Sequence, residues 1–165
     1  MEKTAAILMG VQGSGKSTFY AAFLADRFVR INLDTLKTRN RERLLMEECL
    51  ADGRSFAVDN TNPTRADRER YIPKAREAGY RIIGYWVQTE QDICLQRNAL
   101  REGKARVPDV AIYATSRKFE APDYDEGFDE LYIVSNDRTE TEILFYKKRD
   151  TADRSMPESK DRNEL

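Results

Sequence analysis

Short apolar runs alternate with longer stretches of helical periodicity along most of the chain. The apolar runs are typical of buried strands, and they cover residues 5–9, 28–31, 56–58, 82–87 and 131–134. The stretches between them predict helices over residues 16–25, 35–51, 65–78, 90–101 and 110–118. Strands that alternate with helices predict an α/β fold, in which a parallel sheet is covered by helices on both faces.

Length and composition are those of one domain followed by a tail. The chain has 165 residues, of which 40% are hydrophobic, and this is enough to fill a single core of ordinary size. We therefore expect one folded domain over residues 1–149. Residues 150–165 carry mixed charges and no apolar periodicity, so we expect a disordered C-terminal tail, with a docking role as the alternative.

The charge balance argues against a protein that coats nucleic acid. Lys and Arg number 28 against 29 Asp and Glu, so any polyanion must be bound by a local cluster of positive charge. The chain contains no histidine, which leaves a carboxylate as the expected general base. Cys49 and Cys94 are expected to be reduced core thiols. The first apolar run is too short for a signal peptide or a membrane span, so a cytoplasmic protein is the simplest interpretation.

The first predicted strand runs directly into the sequence GVQGSGKS at residues 10–17, a P-loop pattern in the strand-then-helix setting that this motif requires. Glycines allow backbone N–H groups to surround phosphate oxygens, and the following helix points its positive end at the same anion. Lys16 is expected to contact the β- and γ-phosphates of ATP, and Ser17 to bind Mg²⁺. The predicted nucleotide-binding residues are Gly10, Gln12, Gly13, Ser14, Gly15, Lys16, Ser17 and Thr18. The alternative is a turn that only links strand to helix.

The second predicted strand leads through Asn32 and Leu33 to Asp34, whose carboxylate is expected at the edge of the ligand cleft. A carboxylate there could orient an acceptor hydroxyl and take its proton during phosphoryl transfer. Asp34 is equally suited to be the N-cap of the next helix. Lys37 lies one turn further on, where it could bind a substrate phosphate or be a solvated lysine.

The third predicted strand ends in the sequence VDNTNPT at residues 58–64. Asp59 follows the apolar run directly and could bind Mg²⁺ and contribute to the acceptor site, together with Asn60 and Asn62. Alternatively, Asp59 and Asn60 only satisfy turn amides, and Asn62 or Thr64 only caps the following helix.

A local excess of basic residues lies between residues 94 and 118. Arg97 and Arg101 are four residues apart, so on one helix they share a face and could both reach a triphosphate. The sequence GKARVP at residues 103–108 resembles a mobile connection into another helix, which is the form of a closing lid. The alternative is an ordinary solvated helical face.

These residues resemble the kinase domain of the 5′-hydroxyl polynucleotide kinases, over nearly the whole predicted domain. The resemblance rests on the P-loop and on the sequences INLDTL at 31–36, VDNTNP at 58–63, RVP at 106–108 and RKFEAP at 117–122. It implies a P-loop kinase fold with a five-stranded parallel sheet of order 2-3-1-4-5 and a helical lid. It also implies ATP with Mg²⁺ as cofactors and the 5′ end of DNA or RNA as the substrate, in nucleic-acid end healing or repair. Neither a membrane nor an obligate protein partner is expected.

The resemblance implies a role for each matched residue. Asp34 would activate the 5′-hydroxyl, Asp59 would belong to the acceptor and metal region, and Arg97 and Arg101 would be lid arginines on the triphosphate. The chain departs from the family at two positions of the acceptor motif. Lys37 stands where a phage member of this family has an arginine for the 3′-phosphate of its substrate. Leu33 stands where the family often has arginine.

Two other functions remain compatible with the motifs. One is a small-molecule or nucleotide-sugar kinase of the same fold, similar to the zeta-toxin-like kinases, which the nearly neutral charge slightly favours. The other is a nucleotide-dependent switch or binding module, in which Asp34 would have no acceptor to activate. A channel of basic residues leading to Asp34 would favour the polynucleotide over a closed pocket for a small molecule.

Overall fold

The computed structural model describes residues 2–136 and 141–146. The predicted tail, residues 150–165, lies outside the described residues and stays a prediction, as does the domain boundary at residue 149. No helix in the described part has both the length and the apolar character to cross a membrane.

In the described part of the chain, six strands form one sheet, in the order β2-β3-β1-β4-β5-β6. They are β1 Thr4–Met9, β2 Val29–Ile31, β3 Phe56–Asp59, β4 Arg81–Gln88, β5 Glu130–Ser135 and β6 Glu142–Phe145. The first five are parallel to one another and follow the predicted order. The prediction of a five-stranded, wholly parallel sheet was wrong by one strand, since β6 pairs antiparallel with β5. All of β6 is exposed, so pairing with β5 defines this strand and burial does not.

Seven α-helices are present in the described part of the chain. They are α1 Lys16–Phe19, α2 Leu33–Leu36, α3 Arg39–Asp52, α4 Arg65–Arg68, α5 Ile72–Glu77, α6 Gln91–Ala99 and α7 Asp109–Lys118. A π-helical turn, Tyr20–Leu24, continues α1, and 3₁₀ turns cover Gly103–Ala105 and Tyr124–Glu126.

Two of the predicted helices are each divided into two. The helix expected over residues 35–51 is interrupted at Lys37, whose φ of 76° is outside the helical region, and Thr38 then caps α3 by accepting a hydrogen bond from the N–H of Arg41. The helix expected over residues 65–78 divides before α5, which carries Pro73 in its first turn. Proline is tolerated there because the first N–H groups of a helix have no intrahelical partner.

The core lies on both faces of the central strand β1. Ile7 and Met9 pack with Ile31 of β2 on one face, whereas Leu8 packs with Phe19 of α1 on the other. This follows from the alternation of side chains along a strand that is covered on both sides. Cys49 and Cys94 are buried and no disulfide joins them, as predicted.

Candidate active site

The segments that follow β1, β2 and β3 meet at one edge of the sheet, where they line a cavity of about 330 Å³. Ligands bind at the carboxyl ends of strands in sheets of this type. Ten of the predicted site residues line the cavity: Gln12, Gly13, Gly15, Lys16, Ser17, Asp34, Asp59, Asn60, Asn62 and Arg101. Five others are not in its lining: Gly10, Ser14, Thr18, Lys37 and Arg97. A larger cleft of about 1030 Å³ has a more apolar, aromatic lining and contains no predicted site residue.

The glycines of the P-loop are required by its conformation. Gly13 and Gly15 have φ values of 79° and 100°, which side chains rarely adopt. A Cβ atom at Gly13 would lie 2.6 Å from the carbonyl oxygen of Cys94, and one at Gly10 would lie 2.7 Å from the Oγ of Ser14. Ser14 is therefore packed beneath the loop, whereas Thr18 is exposed on α1.

Lys16 is buried inside the curve of the P-loop. Its Nζ donates hydrogen bonds to the carbonyl oxygens of Gly10 at 2.9 Å and Val11 at 3.0 Å. Burial lowers the pKa of Lys16 from 10.5 to about 8, although the nearby Asp59 carboxylate opposes the shift. The ammonium group thus lies where phosphate oxygens would give it stronger partners than two carbonyls.

Ser17 and Asp59 are adjacent, because β3 lies next to β1 in the sheet. The Oγ of Ser17 donates to Oδ2 of Asp59 at 3.1 Å, and the Asp59 side chain is almost fully buried. Both are hard oxygen ligands of the kind that Mg²⁺ prefers beside substrate phosphates, so the pair suits this ion. Within the described residues no group of three or more acidic, cysteine or histidine side chains could hold a metal ion.

Sequence reasoning missed Arg30, which contacts both of these residues. Its Nη2 lies 2.7 Å from Oδ2 of Asp59 and donates to Oγ of Ser17 at 3.0 Å. Its Nε also donates to Oδ2 of Asp59, at 2.9 Å. The sequence did contain one sign that Arg30 lies near the site. Arg30 is in strand β2, directly before the sequence INLDTL that leads to Asp34.

Asp34 lies in the first turn of α2 and lines the cavity. The alternative that Asp34 caps this helix is wrong, since the cap is Asn32, whose Oδ1 accepts from the N–H of Thr35 at 3.0 Å. The Nδ2 of Asn32 also donates to the carbonyl oxygen of Asp59 at 2.6 Å, which fixes α2 against the end of β3. The carboxylate of Asp34 is therefore presented on a fixed turn and is not used for capping.

Lys37 is not where the sequence placed it. It terminates α2 with a positive φ and does not line the cavity, so it does not share the Asp34 side of the site. Arg39, the first residue of α3, lines the cavity instead. The break between α2 and α3 causes the difference, because the prediction assumed one continuous helix.

Asn60 supports the site through a polar network. Its Oδ1 accepts from the N–H of Leu33 at 2.9 Å, and its Nδ2 donates to Oε2 of Glu42 at 2.8 Å. Glu42 also accepts from Arg39 at 2.9 Å and from the hydroxyl of Tyr71 at 3.0 Å. Burial, with Glu42 beside it, raises the pKa of Tyr71 to about 12, so the phenol remains a donor. The network holds α2 and α3 in one orientation relative to β3.

Asn62 and Arg68 fix the loop after β3. Asn62 is buried with a φ of 43°, and its Nδ2 donates to the carbonyl oxygen of Leu8 at 2.8 Å. Arg68 is fully buried, forms a 2.7 Å ion pair with Glu126 and donates to the carbonyl oxygens of Asn62 and Glu120. Arg68, which sequence reasoning also missed, thus joins the two specific sequences at 58–63 and 117–122. Thr64 caps α4 with a capping box, as one alternative expected.

The predicted lid packs against the P-loop. Arg97 of α6 donates to the carbonyl oxygens of Gly13 and Ser14, each at 3.3 Å. Arg101 lies beyond the end of α6 at Ala99, so the expectation that the two arginines share one helix face was wrong. Arg101 nevertheless lines the cavity, close enough to Lys16 for its charge to contribute to the lowered pKa. Gln12 donates to Oγ1 of Thr115 at 3.1 Å, which connects the P-loop to α7.

The family model of AAA_33, described as an AAA domain, matches residues 6–122. This range includes the P-loop, the sequences at 31–36 and 58–63, and the predicted lid. This chain belongs to the AAA_33 family. The match ends at Pro122, the last residue of the sequence RKFEAP, so β5 and β6 lie beyond it.

Two curated proteins are similar to this AAA_33 chain. The bifunctional polynucleotide phosphatase/kinase of Schizosaccharomyces pombe is 29% identical over 126 residues, which are 74% of this chain and 31% of that protein. A protein of Acanthamoeba polyphaga mimivirus, whose name provisionally assigns it the same two activities, is 30% identical over 141 residues, which are 81% of this chain and 34% of its own length. The chain spans about a third of the length of these relatives.

Solved structures share the fold of this AAA_33 domain. A fungal RNA kinase superposes with a TM-score of 0.63 at 16% identity, covering 84% of this chain and 39% of that chain. A sugar kinase from Janibacter superposes with a TM-score of 0.60 at 19% identity, covering 81% and 85% of the two chains. These likenesses concern the fold alone. The AAA_33 chain is a P-loop kinase domain, as predicted, and this fold implies that it binds a nucleotide such as ATP.

Proposed function

We propose that this kinase domain transfers the γ-phosphoryl group of ATP to the 5′-hydroxyl end of a polynucleotide. The observation that carries the proposal is the position of Asp34, a carboxylate that lines the same cavity as Lys16 of the P-loop. The two are close enough for the charge of Asp34 to act on the pKa of Lys16. An acceptor hydroxyl beside Asp34 would thus lie next to the phosphates held by Lys16.

Five residues of the cavity would take part in this reaction. The acceptor oxygen forms a bond to the γ-phosphorus, the bond from that phosphorus to the bridging oxygen of ADP breaks, and Asp34 takes the hydroxyl proton. Ser17 and Asp59 would hold Mg²⁺, which neutralises phosphate charge when bound. Lys16 and Arg101 stabilise the negative charge that develops on the transferred group and on ADP.

Basic residues in the lining of the cavity support a polyanionic substrate. Arg39, Arg101 and Lys118 line the cavity in a protein whose formal net charge is −1. Local cations of this kind bind backbone phosphates without coating the whole surface with positive charge. The two curated relatives, which are named for polynucleotide kinase activity, point to the same substrate class.

A second candidate is the phosphorylation of a small hydroxyl compound such as a sugar. The cavity volume of about 330 Å³ is near the lower end for ligand pockets, and the similar Janibacter structure is named as a sugar kinase. Leu33 also places an apolar side chain in the acceptor part of the cavity.

The test is transfer of γ-labelled phosphate from Mg·ATP to 5′-hydroxyl DNA and RNA oligonucleotides, with a panel of sugars in parallel. We expect label on an oligonucleotide and a loss of at least 100-fold in Asp34→Asn, since the amide keeps the shape but cannot take the proton. ADP affinity should be unchanged in this variant. Asp52→Asn, which alters an exposed acid at the end of α3, is the matched control.

Label on a sugar alone would select the second candidate. Full transfer by Asp34→Asn would contradict the role of Asp34 as the base, whichever acceptor is labelled. A variant that loses both transfer and ADP binding would indicate a general loss of structure, and its melting temperature identifies that case.

A further inference from the structure

We propose that Arg30 competes with Mg²⁺ for Asp59, so that the metal binds this kinase domain tightly only together with a nucleotide. The inference rests on the proposed function to the extent that Ser17 and Asp59 are taken as the metal ligands. Arg30 matches none of the family sequences quoted above, and its role follows from its contacts alone.

One oxygen of Asp59 carries most of the argument. Oδ2 of Asp59 accepts hydrogen bonds from Oγ of Ser17 at 3.1 Å and from Nε of Arg30 at 2.9 Å, and Nη2 of Arg30 lies 2.7 Å from the same oxygen. A carboxylate oxygen has two lone pairs, so these two hydrogen bonds already use both of them. Mg²⁺ binds oxygen at about 2.0–2.1 Å in strict octahedral geometry, which leaves no room for a guanidinium on the same oxygen.

The guanidinium also occupies the other expected ligand. Nη2 of Arg30 donates to Oγ of Ser17 at 3.0 Å, so one cationic group bridges both ligands. The Asp59 side chain is 1% exposed, and a buried carboxylate needs a compensating charge. Arg30 therefore stabilises Asp59 in the protein without nucleotide, and any metal that binds there must displace it.

Arg30 is held firmly enough to compete. Its guanidinium lies 5.8 Å from the centre of the Tyr20 ring, and the hydroxyl of Tyr20 donates to the carbonyl oxygen of Phe28 at 2.6 Å. The ring is thus fixed beside the arginine, which adds a cation–π contact to the ion pair. The Arg30 side chain is nevertheless 35% exposed, so it can swing away without disrupting the core.

A bound nucleotide changes the competition between Arg30 and Mg²⁺ for Asp59 in two ways. Its phosphates give Mg²⁺ additional oxygen ligands, and they offer the displaced guanidinium a new anionic partner beside the P-loop. Mg²⁺ alone receives neither benefit. Arg30 thereby couples metal binding to nucleotide binding, with positive cooperativity between the two.

The experiment is a titration with Mg²⁺ at constant ionic strength and without nucleotide. The melting temperature of the protein is measured at each Mg²⁺ concentration. We expect the half-saturating Mg²⁺ concentration to fall about tenfold in Arg30→Gln, because the competing cation is gone. With saturating ADP the difference from the wild type should shrink to less than about threefold. Arg43→Gln, which alters an exposed ion pair with Glu47, should behave like the wild type.

Two further variants keep the result interpretable. The double variant Arg30→Gln/Asp59→Asn should lose the tighter Mg²⁺ binding of Arg30→Gln. This loss would show that the metal binds at Asp59. Arg30→Lys keeps the charge and the fold but cannot bridge two ligands with a planar fork, so its half-saturating concentration should also fall. Equal or weaker Mg²⁺ binding by Arg30→Gln, or by Arg30→Lys if the first variant is unfolded, would overturn the proposal. No acceptor is used, so failure of the polynucleotide hypothesis would not affect this outcome.

Discussion

The lowered pKa of Lys16 makes nucleotide affinity depend on pH in a calculable way. In the protein without nucleotide, burial lowers this pKa from 10.5 to about 8. A neutral Lys16 cannot attract phosphate, so only the protonated fraction of the protein is competent to bind. Bound phosphates surround the ammonium with negative charge and favour its protonation. Nucleotide binding above pH 8 should therefore take up a proton.

The size of the effect follows from the competent fraction. At pH 9 about one protein molecule in ten carries a protonated Lys16, so the apparent Kd should rise about tenfold relative to pH 7, and about 100-fold at pH 10. If phosphates restore the pKa to its ordinary value, the shift corresponds to a coupling of about 3 kcal/mol. The same shift predicts that the free energy of unfolding, without nucleotide, rises between about pH 8 and pH 10.5, because the unfolded chain binds more protons there.

The assay is calorimetric titration with ADP from pH 7.5 to pH 10, a range in which the terminal phosphate, with a second pKa near 6, is already ionised. Repeating the titration in buffers of different ionisation enthalpy gives the number of protons taken up, which we expect to be close to one at pH 9. Lys16→Arg is the control, since a guanidinium stays charged over the whole range. The ADP affinity of this variant should be independent of pH, whatever its value at pH 7.5.

A wild-type Kd that is constant between pH 7.5 and pH 9.5, with no proton uptake, would refute this reasoning. A pH dependence that Lys16→Arg retains would assign the titration to another group. Either result would leave the fold and the position of Lys16 in the P-loop unaffected, because neither depends on its charge.

Two further predictions concern the structure around the site. Gly13→Ala should weaken ADP binding at least tenfold, because the new Cβ would lie 2.6 Å from the carbonyl oxygen of Cys94. The control is Gly53→Ala, where φ is a similar 68° but the space around the new Cβ is open. This control should leave ADP binding unchanged. Arg68→Ala should lower the free energy of unfolding by about 3–5 kcal/mol in urea titrations, since it leaves Glu126 buried without its partner. A loss below about 1 kcal/mol would show that the ion pair is not a main support of the two loops.

The P-loop and the proposed base Asp34 could be predicted because the residues that define each of them are close together in the sequence. The P-loop combines glycines, a lysine and a hydroxyl within eight residues directly after a strand, and backbone geometry alone then determines where they point. Asp34 could be proposed because every parallel strand brings its carboxyl end to the same edge of the sheet. Whether Asp34 was a cap or a free carboxylate could not be decided, since Asn32 and Asp34 are both good caps.

The placements of Lys37 and Arg101 were wrong for a common reason. Each was put on a helix that was assumed to be longer than it is. The breaks at residues 37 and 100 depend on where capping side chains and neighbouring elements satisfy backbone groups, and periodicity of sequence is insensitive to this. An error of one or two residues at a helix end moves a side chain to another face.

The sequence by itself determined the fold class and the residues of the P-loop, because hydrophobic alternation and glycine geometry act over short distances, whereas the order of the first five strands was implied by the family resemblance. Only the tertiary structure decided that Arg30 bridges Ser17 and Asp59, that Arg68 joins two loops, and that β6 completes the sheet. Arg30 and Ser17 are 13 positions apart along the chain, Arg68 and Glu120 are 52 positions apart, and β6 is an edge strand held by its neighbour. Pairing over such distances depends on how complete elements pack, and local sequence patterns carry little information about it.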